Sequence, residues 1–450
     1  MSAAAPLRTM LRLAAPMVLA RASQSVVTFA DVLQVKHLGR EALAATATGG
    51  LNVTGFVILA MGTVFIVQSF VAQLVGRGDR DQAPRFAWYG LAIALIAAVG
   101  SAALIPLIHP ALALTSYTPG VRDQMADYMA IRMLSVGAVV GVEALGNWYG
   151  GLGNTWIQMI AGLVTMTAAV VLNWILIGGH LGAPAMGVNG AAVASTIASF
   201  LGFGVVAVAF WRRWGGAPAA PAGQMSLGEL IRVLRFGLPT GVNWFLEFAA
   251  FQMFVNGVLA GLGTDTVAAL NVVIAVNSLS FMPAFGLASA GAILVGQAIG
   301  AGDRGRVWPQ VKATLLCTMT WMGAIAVLYV VFPDRVLALF DSEHAGQLVA
   351  IGSTMLAISA AWQLTDAINM TLAEALRAAG DTLWPAATRL VLAWLVFVPS
   401  AYLIVTRWGQ GPVGAMLCLV GYLGLLSISL AWRFRSGAWK QIQLIEPALV

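Results

Sequence analysis

The sequence predicts an all-α polytopic membrane protein, with twelve transmembrane helices in two parallel-repeat six-helix lobes around a central cleft. Three observations predict it. Of 450 residues, 60% are hydrophobic and 9% charged, whereas a soluble domain carries about 25% charged residues. Apolar runs long enough for a bilayer, which needs roughly 20 residues per helical span, recur along the whole chain. Short strings also repeat in the same order about half a chain apart. A soluble enzyme, a disordered chain and a secreted disulfide scaffold are excluded. The strict alternation of a membrane β-barrel is not visible.

The apolar runs lie near residues 10–35, 46–74, 86–112, 128–148, 155–178 and 188–211, then 233–260, 267–298, 313–333, 347–373, 385–406 and 412–432. Breaks fall at Gly, Pro and charge clusters such as Gly76-Arg-Gly-Asp-Arg80. The first run is longer than the apolar segment of a signal peptide and no cleavage site follows, so it reads as a retained first helix. With the N-terminus inside, 17 Lys and Arg fall on the cytoplasmic side, Arg389 among them, and 6 outside, Arg132 among them. That asymmetry predicts both termini in the cytoplasm. The net charge of +6 is accounted for by these loops, and no nucleic-acid partner is expected.

The halves correspond string by string. Leu11-Arg-Leu-Ala-Ala-Pro16 resembles Leu234-Arg-Phe-Gly-Leu-Pro239. Val71-Ala-Gln-Leu-Val-Gly-Arg-Gly-Asp-Arg80 resembles Val295-Gly-Gln-Ala-Ile-Gly-Ala-Gly-Asp-Arg304, and Gly187-Val-Asn-Gly190-Ala matches Gly411-Pro-Val-Gly414-Ala, both at an offset of 224. Six spans per repeat is an even number, so the second repeat enters from the same side as the first, an arrangement found in alternating-access carriers. The expected organisation is an N-lobe over 1–213, a cytoplasmic linker over 214–229 and a C-lobe over 230–450. Ser226-Leu-Gly-Glu229 reads as a capping box opening the seventh helix. Pro16 and Pro239 occupy matching places and predict helix kinks.

Other chemistries find no residues. Cys317 and Cys418 lack a CxxC neighbour, and the four histidines are scattered. No lysine follows a glycine, so no Walker A loop exists and ATP is not expected as a partner. Gly300-Ala-Gly302-Asp-Arg-Gly305 follows an apolar helix rather than a strand, which disfavours a dinucleotide site. No cofactor is expected.

Four acids interrupt the apolar runs: Asp31, Glu143, Glu247 and Asp366. An unpaired acid such as Asp costs roughly 2.5–3.5 kcal/mol at a helix centre. Basic partners inside the runs look scarce, with Arg21 the main exception, so the acids are expected to face water, bind a cation or be protonated. Arg21, Gln24, Thr28, Asp31 and Gln34 form one polar stripe at helical spacing, bordered by Ser25. Arg21 is about 15 Å along the helix from Asp31 and is expected to snorkel towards the cytoplasm. Glu247 shares its neighbourhood with Trp244 and Phe251, and Asp366 with Trp362, Asn369 and Met370. Acids beside aromatic faces suit organic cations. Glu143, near the end of its run, reads equally as a solvated helix end.

The residues now quoted, with Asp31-(x)₆-Leu38-Gly39-(x)₃-Leu43-Ala-Ala45, Gln297-(x)₂-Gly300-Ala-Gly-Asp303, Leu172-Asn173-Trp-Ile-Leu-Ile-Gly178, Gly190-Ala-Ala-Val-Ala-Ser195 and Glu374-Ala-Leu-Arg-Ala-Ala-Gly380-Asp381, resemble the MATE (multidrug and toxic compound extrusion) family, in its bacterial NorM-type branch. The resemblance implies secondary active export of cationic or aromatic compounds in exchange for Na⁺ or H⁺. It implies Asp31 as the N-lobe cation or proton site, supported by Asn173, with Ser25 and Ser195 where relatives carry Thr. Ile177 stands where some members have a second acid. Glu247 and Asp366 match the C-lobe acids proposed to bind the coupling cation, so a sodium ion is expected at Asp31 or at Glu247 and Asp366. A monomer in the bacterial inner membrane, with small organic cations as partners, is expected. The competing expectations are a lipid-linked oligosaccharide flippase, which calls for cavity arginines, and a membrane-embedded lipid-modifying enzyme, which calls for interfacial His, Asp or Arg clusters.

Overall fold

The computed structural model describes residues 4–115, 117–216, 225–338 and 347–445. The described residues hold helices and turns and no strand. The first half runs α1 (Ala4–Val35), α2 (Arg40–Val64) continued by α3 (Ile66–Arg77), α4 (Pro84–Leu104) with the short α5 (Ile108–Ala113), the bent pair α6 (Pro119–Met133) and α7 (Val136–Gly151), α8 (Trp156–Gly178) and α9 (Gly187–Trp211). The second half repeats the order: α10 (Leu227–Met253), α11 (Thr264–Gly300), α12 (Val307–Val331) with the short α13 (Pro333–Ala338), α14 (Gln347–Ala378), α15 (Leu383–Val391) joined to α16 (Val398–Thr406), and α17 (Gly411–Ser436). Counted this way the helices make twelve spans.

Among the described residues, eight helical stretches are long and apolar enough to cross a membrane, and α6 with α7, bent by 42°, makes a ninth. The three long helices outside that set are α1, α10 and α14. These three and the bent pair carry Asp31, Glu247, Asp366 and Glu143. Their lower hydropathy comes from the polar residues that stand out in the sequence.

The repeat is built into the helix ends. Gly78 closes α3 and Gly302 follows α11, both at positive φ (93° and 73°). In each, the amide of the next residue returns to the carbonyl five positions back: Asp79 N to Leu74 O and Asp303 N to Ala298 O, both 3.0 Å. This left-handed cap needs glycine, because a Cβ is disfavoured at that φ. The expected capping box at Ser226 forms in altered shape. Ser226 Oγ accepts from Glu229 N at 3.1 Å. Glu229 bonds the Tyr89 hydroxyl (2.7 Å), which in turn accepts from Ser226 N (2.9 Å), so a tyrosine bridges the two ends of the box. Half of the expected linker, residues 217–224, lies outside the described residues.

By compactness the chain forms two units: an N-unit of Leu19–Gly241 and a C-unit of Met1–Val18 with Val242–Val450. The opening of α1 therefore belongs to the C-unit and the opening of α10 to the N-unit. Both contacts are close. A Cβ on Gly62 of α2 would sit 2.8 Å from Gly241 Cα, and one on Gly286 of α11 would sit 2.9 Å from Val18 N. Pro16 and Pro239 each stand two residues before these divisions, and α1 and α10 stay helical through them.

Within the N-unit α7 packs on α3, α4 and α9, and within the C-unit α14 packs on α11, α12 and α17. α7 achieves this with glycines, because small residues let membrane helices approach closely. A Cβ on Gly141 would lie 2.5 Å from the Phe203 ring, and one on Gly151 would lie 2.6 Å from Val71 Cβ and 2.8 Å from Gln68 O. The backbone carbonyl cannot yield as a side chain can. Gly151→Val is expected to lower stability by about 1–3 kcal/mol through overpacking, read as a fall in the thermal unfolding midpoint of the purified protein.

Candidate functional site

Four helices of the N-unit build a polar layer. Val35, Tyr128, Ile177, Ala191 and Ala192 form a buried apolar cluster from α1, α6, α8 and α9. Four residues along from Val35, Tyr128, Ile177 and Ala191 stand Asp31, Arg132, Asn173 and Ser195. Residues four apart share a helix face, so these four side chains form the next layer down the same interior. Asn173 Nδ2 donates to Asp31 Oδ1, and Ser195 Oγ donates to Asp31 Oδ2 at 3.5 Å. Asn173 Oδ1 is buried with no hydrogen-bond partner, as is Gln34 Oε1, while Gln34 Nε2 donates to Val170 O at 3.4 Å. The charge of Arg132 bears on Asp31, but among the described residues no basic group lies within 4.0 Å of it. The oxygens of Asp31, Asn173 and Ser195 suit a proton or a hard cation such as Na⁺. The side chains of Ser25 and Thr28 lie outside the described residues.

Arg21 and Glu143 correct two expectations. Arg21 does not snorkel and Glu143 is not a solvated helix end. Arg21 is 3% and Glu143 2% exposed, and they form a bidentate pair, Nη1 to Oε1 at 2.7 Å and Nη2 to Oε2 at 2.9 Å. Gln24 Nε2 donates to Oε1 at 3.2 Å and Asn147 Nδ2 to Oε2 at 3.4 Å, so the carboxylate has four donors. The guanidinium also lies over the Phe65 ring at 5.1 Å. The sequence placed both groups in a stripe or at a run end; it held no sign that α1 and α7 bring them together.

A second correction concerns Arg389, expected in a cytoplasmic loop. It lies within the span Leu383–Thr406 and pairs with Glu247 in the C-unit, Nη1 to Oε2 at 2.5 Å. Basic partners inside the membrane helices are thus more numerous than the runs suggested. The pairing is framed by π-helical turns. One spans Phe254–Val258 after α10 and one spans Leu392–Phe397 between α15 and α16. Phe254 and Phe397 rings pack at 4.9 Å, and Trp394 Nε1 donates to Leu246 O at 3.2 Å. Such π-turns are frequent at functional sites.

Asp366 on α14 is different. Among the described residues it makes no hydrogen bond and no ion pair, although the charges of Glu247 and Arg389 bear on it. Tyr422 on α17, whose buried hydroxyl also lacks a partner, feels all three charges. Asp366, Glu247, Arg389 and Tyr422 form one cluster, of which Arg389 and Tyr422 escaped the sequence reading.

The remaining candidates fall in packed surroundings. Trp362 is buried in the main core of the C-unit with Phe251 packed against it, and Met370 in a smaller cluster with Ala284, Ala288 and Met322. Asn369 donates to Leu423 O at 3.1 Å and accepts from Ser427 Oγ at 3.0 Å. Trp244 meets the Phe285 ring edge-on at 5.9 Å. No group of three or more His, Cys, Asp or Glu able to hold a metal ion occurs among the described residues.

The MatE family model matches residues 16–175 and 239–403. The probable multidrug resistance protein NorM of Thermotoga maritima is 25% identical over 96% of this chain and 93% of its own length. That of Rhizobium meliloti is 28% identical over 95% and 92%. The chain is similar in fold to the crystal structure of MATE in complex with MaL6 (TM-score 0.90, 22% identity, 97% of this chain and 98% of that one). It is similar also to the outward-facing conformation of a multidrug resistance MATE family transporter of the MOP superfamily (TM-score 0.88, 20% identity, 97% of each chain).

Removing one partner of a buried ion pair strands the other. Glu143→Gln or Arg21→Met alone is expected to cost roughly 3–5 kcal/mol of stability, whereas the double change Arg21→Met with Glu143→Leu recovers most of it. Thermal unfolding of the three variants checks this.

Proposed function

This chain belongs to the MatE family, whose members are transporters and not enzymes, and we propose that it exports amphiphilic organic compounds in exchange for Na⁺ or H⁺ by alternating access. The observation that supports the reading is which acids lack a basic partner. Glu143, Glu247, Glu374 and Asp381 each pair with an arginine. Among the described residues Asp31 and Asp366 do not, and there is one in each unit.

Unpaired carboxylates in a membrane interior mark ion or proton pathways, because ionisation there needs a compensating cation. In this proposal Asp31, with Asn173 and Ser195, and Asp366, beside Glu247 and Arg389, take up the coupling cation. Arg389 offsets the charge of Glu247, so the C-unit cluster keeps one net negative charge when Asp366 is ionised. Neutralising that charge lowers the affinity for a positively charged substrate, and the substrate leaves. Coupling needs only that substrate and cation favour different states. Trp244 and Phe251, which share α10 with Glu247, are the aromatic faces proposed for such a substrate.

The test is efflux of a fluorescent organic cation by purified protein in liposomes, with sodium and pH gradients imposed separately. Asp31→Asn and Asp366→Asn are each expected to abolish gradient-driven export, and Glu247→Gln to reduce it. Undiminished export in all three would remove the proposal. The gradient that drives the wild type identifies the coupling ion.

A further inference from the structure

The N-unit contains a cavity of about 320 Å³ immediately below the polar layer. Asp31, Asn173 and Ser195 do not line it. Of the four polar-layer residues, only Arg132 does.

The hydrogen-bonding inventory of its wall is one-sided. Five hydroxyls line it: Ser23, Thr54, Ser135, Thr165 and Ser199. Every one donates its proton to a backbone carbonyl three or four residues back. The acceptors are Ala20, Gly50, Arg132, Ala161 and Ser195, at 2.7–2.9 Å. A hydroxyl has one donor and two acceptor lone pairs, so these oxygens keep acceptor capacity at the cavity wall, Ser135 having given part of its own to Arg132. Glu143 also lines the wall, but its carboxylate is filled by four donors and its charge is balanced by Arg21. Gln24 beside it is one of those donors.

Arg132 is the opposite case. Nη1 donates to Ser135 Oγ at a long 3.3 Å, and the charge of the guanidinium bears on the Tyr128 hydroxyl. Its Nε is buried with no hydrogen-bond partner. Among the described residues no carboxylate lies within 4.0 Å of it. The charged and titratable groups around it are Asp31 on α1, Tyr128 on its own helix, and the mutually paired Arg21 and Glu143. The wall therefore offers one cation that makes no ion pair among the described residues and a set of acceptors, along with the apolar Val53, Val57 and Val142.

We propose that this cavity binds zwitterionic amphiphiles, with the carboxylate of the ligand held by Arg132 and its ammonium or N–H groups held by the hydroxyl oxygens. The assignment rests on the transport reading and narrows it, because a simple cation would meet Arg132 as a like charge. A carboxylate matches the planar fork of a guanidinium in a way that an ester does not. Arg132 is thus a specificity-determining residue.

The experiment uses a matched pair of fluorescent probes: a rhodamine with a free benzoate, which is a zwitterion, and its methyl ester, which is a cation. Binding to the purified full-length protein is followed by fluorescence anisotropy, and export by the wild type and variants in liposomes. The wild type is expected to bind the acid more tightly than the ester. Arg132→Gln is expected to weaken the acid by about tenfold or more, the scale of a lost hydrogen bond to a charged group, while binding of the ester holds or improves. Arg132→Lys, which keeps the charge on a similar frame, is expected to retain part of the preference. An equal loss of both probes in the variants marks a structural role and overturns the assignment, as does an unchanged preference. Export of both probes with an acid-to-ester ratio indifferent to Arg132 overturns this assignment alone. Export of neither overturns the transport reading and the assignment with it.

Discussion

A charge inside a membrane helix must be answered, and the way each is answered organises this molecule. An isolated ion in hydrocarbon is costly, and breaking a buried pair strands its partner. The chain answers most of its buried acids with arginine. Arg21 grips Glu143 from two sides, Arg389 reaches Glu247, Arg377 folds back on Glu374 within α14, and Arg433 of α17 holds Asp381. These pairs tie α1 to α7, α10 to α15 and α17 to the end of α14. What they leave over is Asp31 and Asp366, which among the described residues make no ion pair, although Arg132 bears on the first and Glu247 and Arg389 on the second.

That contrast separates architecture from chemistry. A carboxylate already neutralised by a guanidinium has no reason to exchange its partner, since Arg stays protonated under all ordinary conditions. A carboxylate bonded by an asparagine amide and a serine hydroxyl, with Arg132 acting on it only from beyond ion-pair distance, can exchange a proton or sodium ion. The layer that holds Asp31 is positioned by ordinary packing. Its four residues stand one helical turn from the apolar cluster of Val35, Tyr128, Ile177 and Ala191, so the same interdigitation that joins α1, α6, α8 and α9 also aligns the polar groups beneath.

Much of this was legible in the sequence. Twelve runs, their punctuation and the 224-residue repeat all reappear as helices and matched left-handed caps. Asp31 and Asp366 are conspicuous because a single acid in a long apolar run has no local explanation. The partners were harder to see, for a physical reason. Arg389 is six residues from the start of its span, and a one-dimensional count of loop charges takes any arginine near a run's end as extramembrane. Arg132 was assigned outside by the same count, though it stands at the bend between α6 and α7. Pairing across α1 and α7, or across α10 and α15, involves separations of 122 and 142 residues, which helical periodicity does not report. Trp362 and Met370 share a helix with Asp366 but their faces of α14 are enclosed by the core, which the sequence spacing alone does not report.

The opening turns of α1 and α10 are counted with the units to which the rest of those helices do not belong. Gly62 and Gly286, 224 residues apart, make the two corresponding close approaches, so the exchange is itself duplicated. Each opening segment is therefore packed with a unit other than the one that holds the rest of its helix. It also means that neither six-helix portion, synthesised by itself, carries a full set of its own packing partners.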